Sequence, residues 1–290
     1  MVSLAYAVEH ENIDFLTKML DDPAELSLIE HTEPIGVMRV EMTPLCIAVY
    51  NSRYSMARLL LRRGANVDGC YNETIMKIHN DDLIDEFLIG DKPRTQTPLA
   101  TAVQNMDVDM VLLLLDAAAD VNNTQSSLGM TALWFVYCDT MSSATDINYS
   151  PYPGIPRMVR DGLDMILLLV GRAADVNIRD IDGQSLLTFA AKNDTSIGMM
   201  ELLIRYGANV NTQDNHGNTP LYYAANRGAR SGTVHDDTYI DMIQLLVESG
   251  AVVGLHGNSG YTPFHSTAVE MHQFGTVWRV HQALGSRSFC

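Results

Sequence analysis

Short runs of apolar residues recur along the chain at helical spacing, and polar, glycine-containing turns separate them. The clearest runs are Leu59–Leu61, Leu112–Leu115, Leu167–Leu169, Leu202–Leu203 and Leu245–Leu246. Each run is followed within a few residues by Gly or Ala, and all but the last are then followed by Asn or Asp, which is a typical sequence for the end of a helix and the turn after it. The pattern predicts a series of short amphipathic helices, each with an apolar face that a neighbour must cover.

A second pattern precedes these helices and consists of Thr or Ser, most often followed by Pro and Leu. It occurs at Thr43-Pro44-Leu45, Thr97-Pro98-Leu99, Thr131-Ala132-Leu133, Ser185-Leu186-Leu187, Thr219-Pro220-Leu221 and Thr262-Pro263-Phe264. A Thr or Ser hydroxyl can cap the first turn of a helix, and Pro suits that turn because its missing N–H is not needed there. Each occurrence therefore predicts the start of a first, shorter helix.

A third pattern, Gly-Ala-Asn-Val-Asn or a near relative, alternates with the second one. It occurs at 64–68, 118–122, 173–177 and 207–211, and in a weaker form at 250–254. Thr97 and Thr131 lie 34 residues apart, as do Ser185 and Thr219. The chain is therefore an internal repeat of about 33–34 residues with insertions, and each unit is predicted to hold two helices.

These alternating motifs closely resemble those of the ankyrin repeat family, over roughly residues 40–268. Six units are expected, starting near 38, 92, 126, 180, 214 and 257. The resemblance implies an all-α ankyrin-repeat solenoid of stacked helix pairs with a β-hairpin or loop edge. It also suggests N-terminal capping helices at 1–37, a repeat array at 38–268 and a C-terminal cap at 269–290. Stacking is required because one helix pair cannot bury its apolar face alone.

The chain departs from the family pattern at three insertions, near 69–91, 139–161 and 228–238. The first carries apolar residues at helical spacing, which suggests an extra helix or two. The second is rich in Pro and Tyr and predicts a loop. The first insertion is interpreted as a spacer or as a seventh, degenerate repeat. The second is interpreted as a tolerated surface loop, with a docking loop or lid as the alternative, because long loops in compact folds are often functional. The third is expected on the same edge as the second, where the two could form a shared site or could lie together by chance.

Ankyrin repeats usually bind proteins through the hairpin tips and the exposed face of the first helices. Position by position, the resemblance marks a partner-binding strip of Tyr50, Arg94, Gln96, Gln104, Asn105, Lys192, Asn193, His216, Asn226, Arg227 and Tyr261. The strip is rich in amides and aromatic rings and poor in acidic residues, a composition typical of recognition surfaces. The sequence therefore predicts a scaffold or adaptor that binds another protein, whose identity is open; a bare assembly module is a further interpretation.

The alternative is an enzyme or a small-molecule binder built on the same scaffold. Its pocket would lie beside the aromatic residues of the third unit and two of the insertions. The candidate residues are Trp134, Tyr137, Asp139, Tyr149, Tyr152, Arg157, Tyr223 and His235. The other explanation for the bulky residues around Trp134 is that they pack in the core. No nucleophile motif, phosphate-binding loop or metal-ligand spacing is present, so we expect no cofactor and no metal, and catalytic residues cannot be named.

Net charge indicates which classes of partner to expect, and apolar runs and cysteines indicate the location of the chain. The formal net charge is −16, so the phosphates of nucleic acid and of anionic lipid would be repelled, and neither is expected as a partner. No apolar run approaches the roughly 20 residues of a membrane span, and the N-terminus lacks a secretory signal pattern. Four scattered cysteines indicate reduced thiols. Together these features predict a cytoplasmic or nuclear protein.

Overall fold

The computed structural model of the 290-residue chain describes residues 3–26, 28–30, 33–35, 40–69, 71–73, 94–124, 129–136, 159–193, 197–230, 238–263 and 265. The chain divides into two compact units, Met1–Ala174 and Asp175–Cys290.

Helix pairs make up the first unit. Its helices are α1 (Leu4–Glu9), α2 (Ile13–Leu20), α3 (Pro23–Leu26), α4 (Pro44–Tyr50), α5 (Tyr54–Arg62), α6 (Pro98–Gln104), α7 (Val108–Asp116) and α8 (Val159–Gly171). Residues 132–136 are helical as well. Within each pair α1 packs on α2, α4 on α5 and α6 on α7, and the first helices stack in the order α1, α4, α6. Helices are thus present in the segment expected to cap the N-terminus.

Four short strands form one edge of the first unit. They are β1 (Glu33–Ile35), β2 (Val40–Met42), β3 (Tyr71–Glu73) and β4 (Arg94–Gln96). They pair antiparallel in the order β1-β2-β3-β4, so two consecutive hairpins join into one sheet. The junction is the pair Glu41 and Asn72. The expected hairpin edge therefore includes regular strand pairing in this unit.

The second unit repeats the same arrangement. It contains α9 (Leu186–Lys192), α10 (Ile197–Arg205), α11 (Pro220–Arg230) and α12 (Thr238–Glu248). The pairs are α9 with α10 and α11 with α12, and the stacking contacts run from α9 to α11 and from α10 to α12. The predicted solenoid of stacked helix pairs is confirmed.

Two helices extend into segments predicted as insertions. Helix α11 runs to Arg230, and α8 begins at Val159. Residues 228–230 and 159–161 are therefore helical instead of loop. Residues 74–93, 137–158 and 231–237, which hold most of the three insertions, lie outside the described residues.

First and second helices are buried to different extents, and this explains the apolar pattern of the sequence. In α9 every residue from Leu186 to Ala191 is buried, because the helix contacts both its pair and the next first helix. In α5 only Met56, Ala57 and Leu60 are buried, which is one stripe of a helix whose other face meets water. Burial of the first helices on all sides thus leaves few of their side chains for function.

Helix starts follow the Thr/Ser pattern. The hydroxyl of Thr97 accepts the backbone N–H of Ala100 at 3.1 Å, and that of Ser185 accepts the N–H of Thr188 at 3.2 Å. Thr43 and Thr219 do the same. Thr131 differs: its hydroxyl oxygen is buried without a hydrogen-bond partner, and the N–H of Trp134 donates to its backbone oxygen at 3.0 Å. Thr262 also accepts the N–H of His265, at 3.4 Å. Five of the six caps in this pattern are therefore formed, and that of Thr131 is not.

The difference between Thr97 and Thr131 gives a matched pair of substitutions to the near-isosteric Val. Thr97→Val removes a formed cap, so we expect it to lower the free energy of unfolding by about 1 kcal/mol. Thr131→Val removes a buried hydroxyl that bonds nothing, so the expected change is about zero or a slight gain in stability. Urea denaturation of both variants checks this, and an equal loss in the two would contradict the assignment.

Helix ends are joined to the next repeat by the last Asn of the third pattern. The Asn177 side-chain N–H donates to the Gly207 oxygen at 3.0 Å, and its oxygen accepts the N–H of Asn209 at 2.8 Å. Asn211 makes the same two bonds to Gly250 and Val252. An amide is needed here because one side chain must both donate and accept, which explains why the motif recurs.

Candidate functional site

Three turns in the second unit have the same backbone geometry and form the hairpin tips. They span 180–184, 214–218 and 257–261, and in each the N–H of the first residue donates to the oxygen of the fifth at 3.0 Å. In the second tip, Gly217 has a φ of +77° and a side chain there would lie 2.9 Å from the Asn258 nitrogen. The tips are thus tight turns that lie directly against one another.

Carboxylates hold the first two tips from inside. An oxygen of Asp214, a buried side chain, accepts the N–H groups of His216 and Asn218, both at 2.9 Å. Asp180 accepts the N–H groups of Asp182 and Gln184 at 3.0 and 2.8 Å. Burial raises the pKa of Asp180, against the opposing effect of these bonds. The carboxylates fix the turn conformation and are not available to a ligand.

Neighbouring tips are joined by hydrogen bonds. The Asn215 N–H donates to the Asp182 oxygen at 3.0 Å, and the Asn258 N–H donates to the His216 oxygen at 2.7 Å. The Asn258 amide also donates to the Asn215 oxygen at 3.0 Å. The three tips therefore form one ordered ladder, so the direction of each exposed tip side chain is set before anything binds.

A tyrosine links the second tip to the first helices. The Tyr223 hydroxyl donates to Asp214 at 2.5 Å, and the Lys192 ammonium lies 5.6 Å from the centroid of the Tyr223 ring. Burial and the Asp214 carboxylate raise the pKa of Tyr223 to about 12. The phenol therefore stays protonated at neutral pH and acts as a hydrogen-bond donor within the scaffold.

Several predicted partner-binding residues of the second unit are exposed on these elements. Lys192 ends α9, His216 lies on the second tip, and Tyr261 ends the third tip with its ring 6.2 Å from that of His265. Asn226 is half-buried in α11. Arg227 lies in the same helix, and its side chain is outside the described residues. Lys192, His216 and Tyr261 are thus placed where a partner could reach them.

Asn193 has a structural contact. Its amide donates to the Phe189 oxygen at 3.0 Å, which closes the end of α9. His265 also has a structural contact, since its Nδ1 lies 2.9 Å from the Thr262 hydroxyl and accepts the Thr262 N–H at 3.2 Å. These side chains stabilise helix termini.

The first unit holds the other predicted binding residues. Tyr50 ends α4 and is 44% exposed. The Asn105 amide donates to the Tyr50 oxygen at 3.2 Å, so it joins two repeats. Gln104 is half-buried at the end of α6. Arg94 and Gln96 lie in β4, and nothing is described of their side chains. Tyr50 is the most accessible of the side chains described here.

Residues of the alternative pocket are only partly described. Trp134 is fully buried, which favours core packing, and the Tyr223 hydroxyl is bonded to Asp214. The remaining candidates, Tyr137, Asp139, Tyr149, Tyr152, Arg157 and His235, lie outside the described residues. The pocket stays a prediction. Among the residues that can be described, no group of three or more His, Cys, Asp or Glu side chains could hold a metal ion.

The sequence Asp-Asn-His-Gly-Asn at 214–218 predicts a turn, and the second tip is formed there. The contributions of Asp180 and Asn258 were not predicted, although an Asp three residues before a Gly at 180–183 is the same signal as at 214–217.

Every helix within the described residues is too short or too polar to span a bilayer.

Comparison with known proteins supports the repeat assignment. A family model described as ankyrin repeats (3 copies) matches residues 4–125 and 157–255, more than half of the chain. Among solved structures, the ankyrin repeat domain of Bcl-3, a unique member of the IkappaB protein family, matches with a TM-score of 0.61. That match covers 97% of this chain and 98% of the other, at 23% sequence identity. At this identity the likeness concerns the fold.

Proposed function

Because the chain belongs to the ankyrin repeat family, we propose that it is a non-catalytic scaffold or adaptor that binds another protein through its hairpin tips and first helices. Ankyrin repeats generally bind other proteins. In the second unit we assign this role to Lys192, His216 and Tyr261, which we call the tip surface. In the first unit Tyr50 is the corresponding exposed anchor.

The observation that carries the proposal is the hydrogen-bonded ladder of tips. Asn215 and Asn258 join the three tips through backbone bonds of 3.0 and 2.7 Å. A surface whose backbone is already ordered loses little conformational entropy when a partner binds, so more of the contact energy appears as affinity. Catalysis does not require such a ladder, whereas recognition of an extended protein surface benefits from it.

The chemistry of the tip surface suits a protein partner. Tyr261 offers a 46% exposed aromatic ring, Lys192 a cation and His216 an imidazole at the apex of its turn. Tyrosine is one of the residue types enriched among those that contribute most to protein interfaces. The carboxylate of Asp214 is buried within the turn and is not itself a contact group.

The proposal is tested by capture from the native cell with three immobilised forms of the full chain. The first is wild type, the second carries Lys192→Ala, His216→Ala and Tyr261→Ala, and the third carries Glu201→Ala, Arg205→Ala and Glu248→Ala. The third set is exposed on the second helices of the same unit and serves as a matched control. We expect the tip variant to lose at least one captured protein by tenfold or more, and the control to retain it.

The same experiment can reject the proposal. If every captured protein is retained by the tip variant, or if the control variant loses the same proteins, the tip surface is not the binding site. Circular dichroism of all three forms verifies that each is folded. The predicted cytoplasmic or nuclear location belongs to this proposal and is checked by imaging of the tagged chain in the same cells.

A further inference from the structure

The first unit carries an unusual concentration of positive charge at one helix. The whole chain has 19 Lys and Arg against 35 Asp and Glu. Four of those cations, Arg53, Arg58, Arg62 and Arg63, lie in or beside α5 (Tyr54–Arg62). A helix this basic in a chain this acidic needs a physical explanation.

Two of the four arginines are explained by contacts within the fold. Arg53 donates to the Val8 oxygen at 2.6 Å and pairs with Glu11 at 3.4 Å. Arg63 pairs with Asp21 at 2.7 Å. Both therefore join α5 to the first helix pair.

Arg58 and Arg62 have no such contacts. Both are exposed, and within the part of the chain that the structure describes neither makes an ion pair or a side-chain hydrogen bond. They lie one turn apart on the solvent face, and the exposed Ser55 lies three residues before Arg58. The buried residues Met56 and Leu60 are on the opposite face.

Helix stability explains one of these cations but not the pair. Arg62 is in the last turn of α5, where a cation interacts favourably with the helix dipole. Arg58 lies one turn earlier, and like charges four residues apart on a helix repel each other. The positions equivalent to Arg58 and Arg62 in the other repeats are found by counting back from the Gly or Ala that ends each second helix. They are occupied by Leu112 and Asp116 in α7, Leu167 and Gly171 in α8, Glu201 and Arg205 in α10, and Gln244 and Glu248 in α12. Among these described helices, α5 alone has two cations there. The repeat itself therefore does not require them.

We propose that Ser55, Arg58 and Arg62, here called the arginine stripe, bind a short acidic segment of a partner protein. Each guanidinium can pair with a carboxylate through two parallel hydrogen bonds, and successive carboxylates on a peptide can reach arginines one helical turn apart. The net charge of −16 favours a short segment over nucleic acid or an anionic membrane, because a long polyanion would also meet the acidic remainder of the chain. The stripe is a different surface from the tip surface.

The test uses fluorescein-labelled octaglutamate as the probe and anisotropy as the readout, with the full chain. Arg62→Glu is compared with Arg205→Glu, which makes the same change of charge at the equivalent exposed position of α10. We expect Arg62→Glu to weaken octaglutamate binding by about tenfold and Arg205→Glu to change it less than about twofold. In the wild type, the Nε–Hε resonances of Arg58 and Arg62 should shift during the titration, which requires no variant.

Three results would overturn the proposal. Octaglutamate fails to bind the wild type, or the two charge reversals weaken binding equally, or the arginine resonances do not move. An oligothymidylate and phosphatidylserine vesicles are run in parallel. If either binds more tightly than octaglutamate and loses binding with Arg62→Glu, the acidic-peptide assignment is wrong. The tip variant should bind octaglutamate like wild type, so the stripe and the tip surface are tested separately.

Discussion

Replacement of Trp134 by Ala is expected to lower the free energy of unfolding by about 3–5 kcal/mol. The indole is fully buried in the helical segment 132–136, and it is one of the largest side chains with almost no exposure in the described residues. Truncation would remove a large buried apolar area and leave a cavity that a close-packed helical stack can fill only in part. Urea denaturation with circular dichroism measures the loss.

Tyr261→Ala is the matched control, since it truncates an aromatic ring that is 46% exposed and should change stability by less than about 0.5 kcal/mol. A Trp134→Ala variant as stable as wild type would mean that the indole lines open space. That result would favour the small-molecule pocket over core packing. The comparison therefore decides between the two interpretations of the third repeat.

The second large effect is expected at Asp214, where substitution by Ala should cost about 3 kcal/mol. Its carboxylate is buried and accepts three hydrogen bonds, from the His216 and Asn218 N–H groups at 2.9 Å and from the Tyr223 hydroxyl at 2.5 Å. Removal leaves these donors without their acceptor in a partly buried turn, and hydrogen bonds to charged groups contribute more than neutral ones. Chemical denaturation of the variant gives the loss directly.

Asp180→Ala measures what the hydrogen bonds within a turn contribute to stability, without the contribution of a tyrosine hydroxyl. Asp180 has the same position in the first tip and accepts two backbone N–H groups, and among the described residues no tyrosine hydroxyl donates to it. We expect a smaller loss for Asp180→Ala than for Asp214→Ala, and Tyr223→Phe should account for much of the difference. Equal losses at the two aspartates would show that the Tyr223 contact contributes nothing.

The same contact predicts an alkaline limit of stability. The pKa of Tyr223 rises from an ordinary value of 10.0 to about 12 in the folded chain, through burial first and the Asp214 carboxylate second. Because the pKa of Tyr223 is higher in the folded chain than in the unfolded chain, the hydrogen bond to Asp214 stabilises the fold fully below pH 10. This stabilisation is lost as the pH rises through about 12. A pH titration followed by phenolate absorbance should show tyrosines that ionise only near pH 12, and Tyr223→Phe should reduce their number by one. Tyr54, with a pKa also near 12, should remain.

The fold could be predicted from sequence because its determinants are local. Thr97 and Ser185 cap helices as their motifs indicate, and the Gly or Ala positions that end the second helices have positive φ, +67° at Ala173 and +89° at Gly207. The recurring Asn of the third pattern bonds to the next repeat. Each signal needs only a few neighbouring residues, so periodicity and turn chemistry are sufficient to find it.

The exposure and contacts of residues in the predicted binding strip could be predicted only in part, because the position of a residue in the repeat does not identify the partner of its side chain. Asn105 and Asn193 occupy positions typical of binding residues, yet their amides donate to backbone oxygens of Tyr50 in the preceding repeat and of Phe189 in the same helix. Thr131 carries the capping motif, but within the described residues its hydroxyl has no hydrogen-bond partner.

The tip surface is the proposed binding site for a protein partner. The most direct measurement is the dissociation constant of a captured partner for wild type, for the Lys192→Ala, His216→Ala, Tyr261→Ala variant and for the control variant in the second helices, together with their unfolding curves. The account predicts at least a tenfold weaker complex for the tip variant alone, with unfolding midpoints that barely differ. Unchanged affinity of the tip variant, or a loss of affinity that follows a loss of stability, would contradict it.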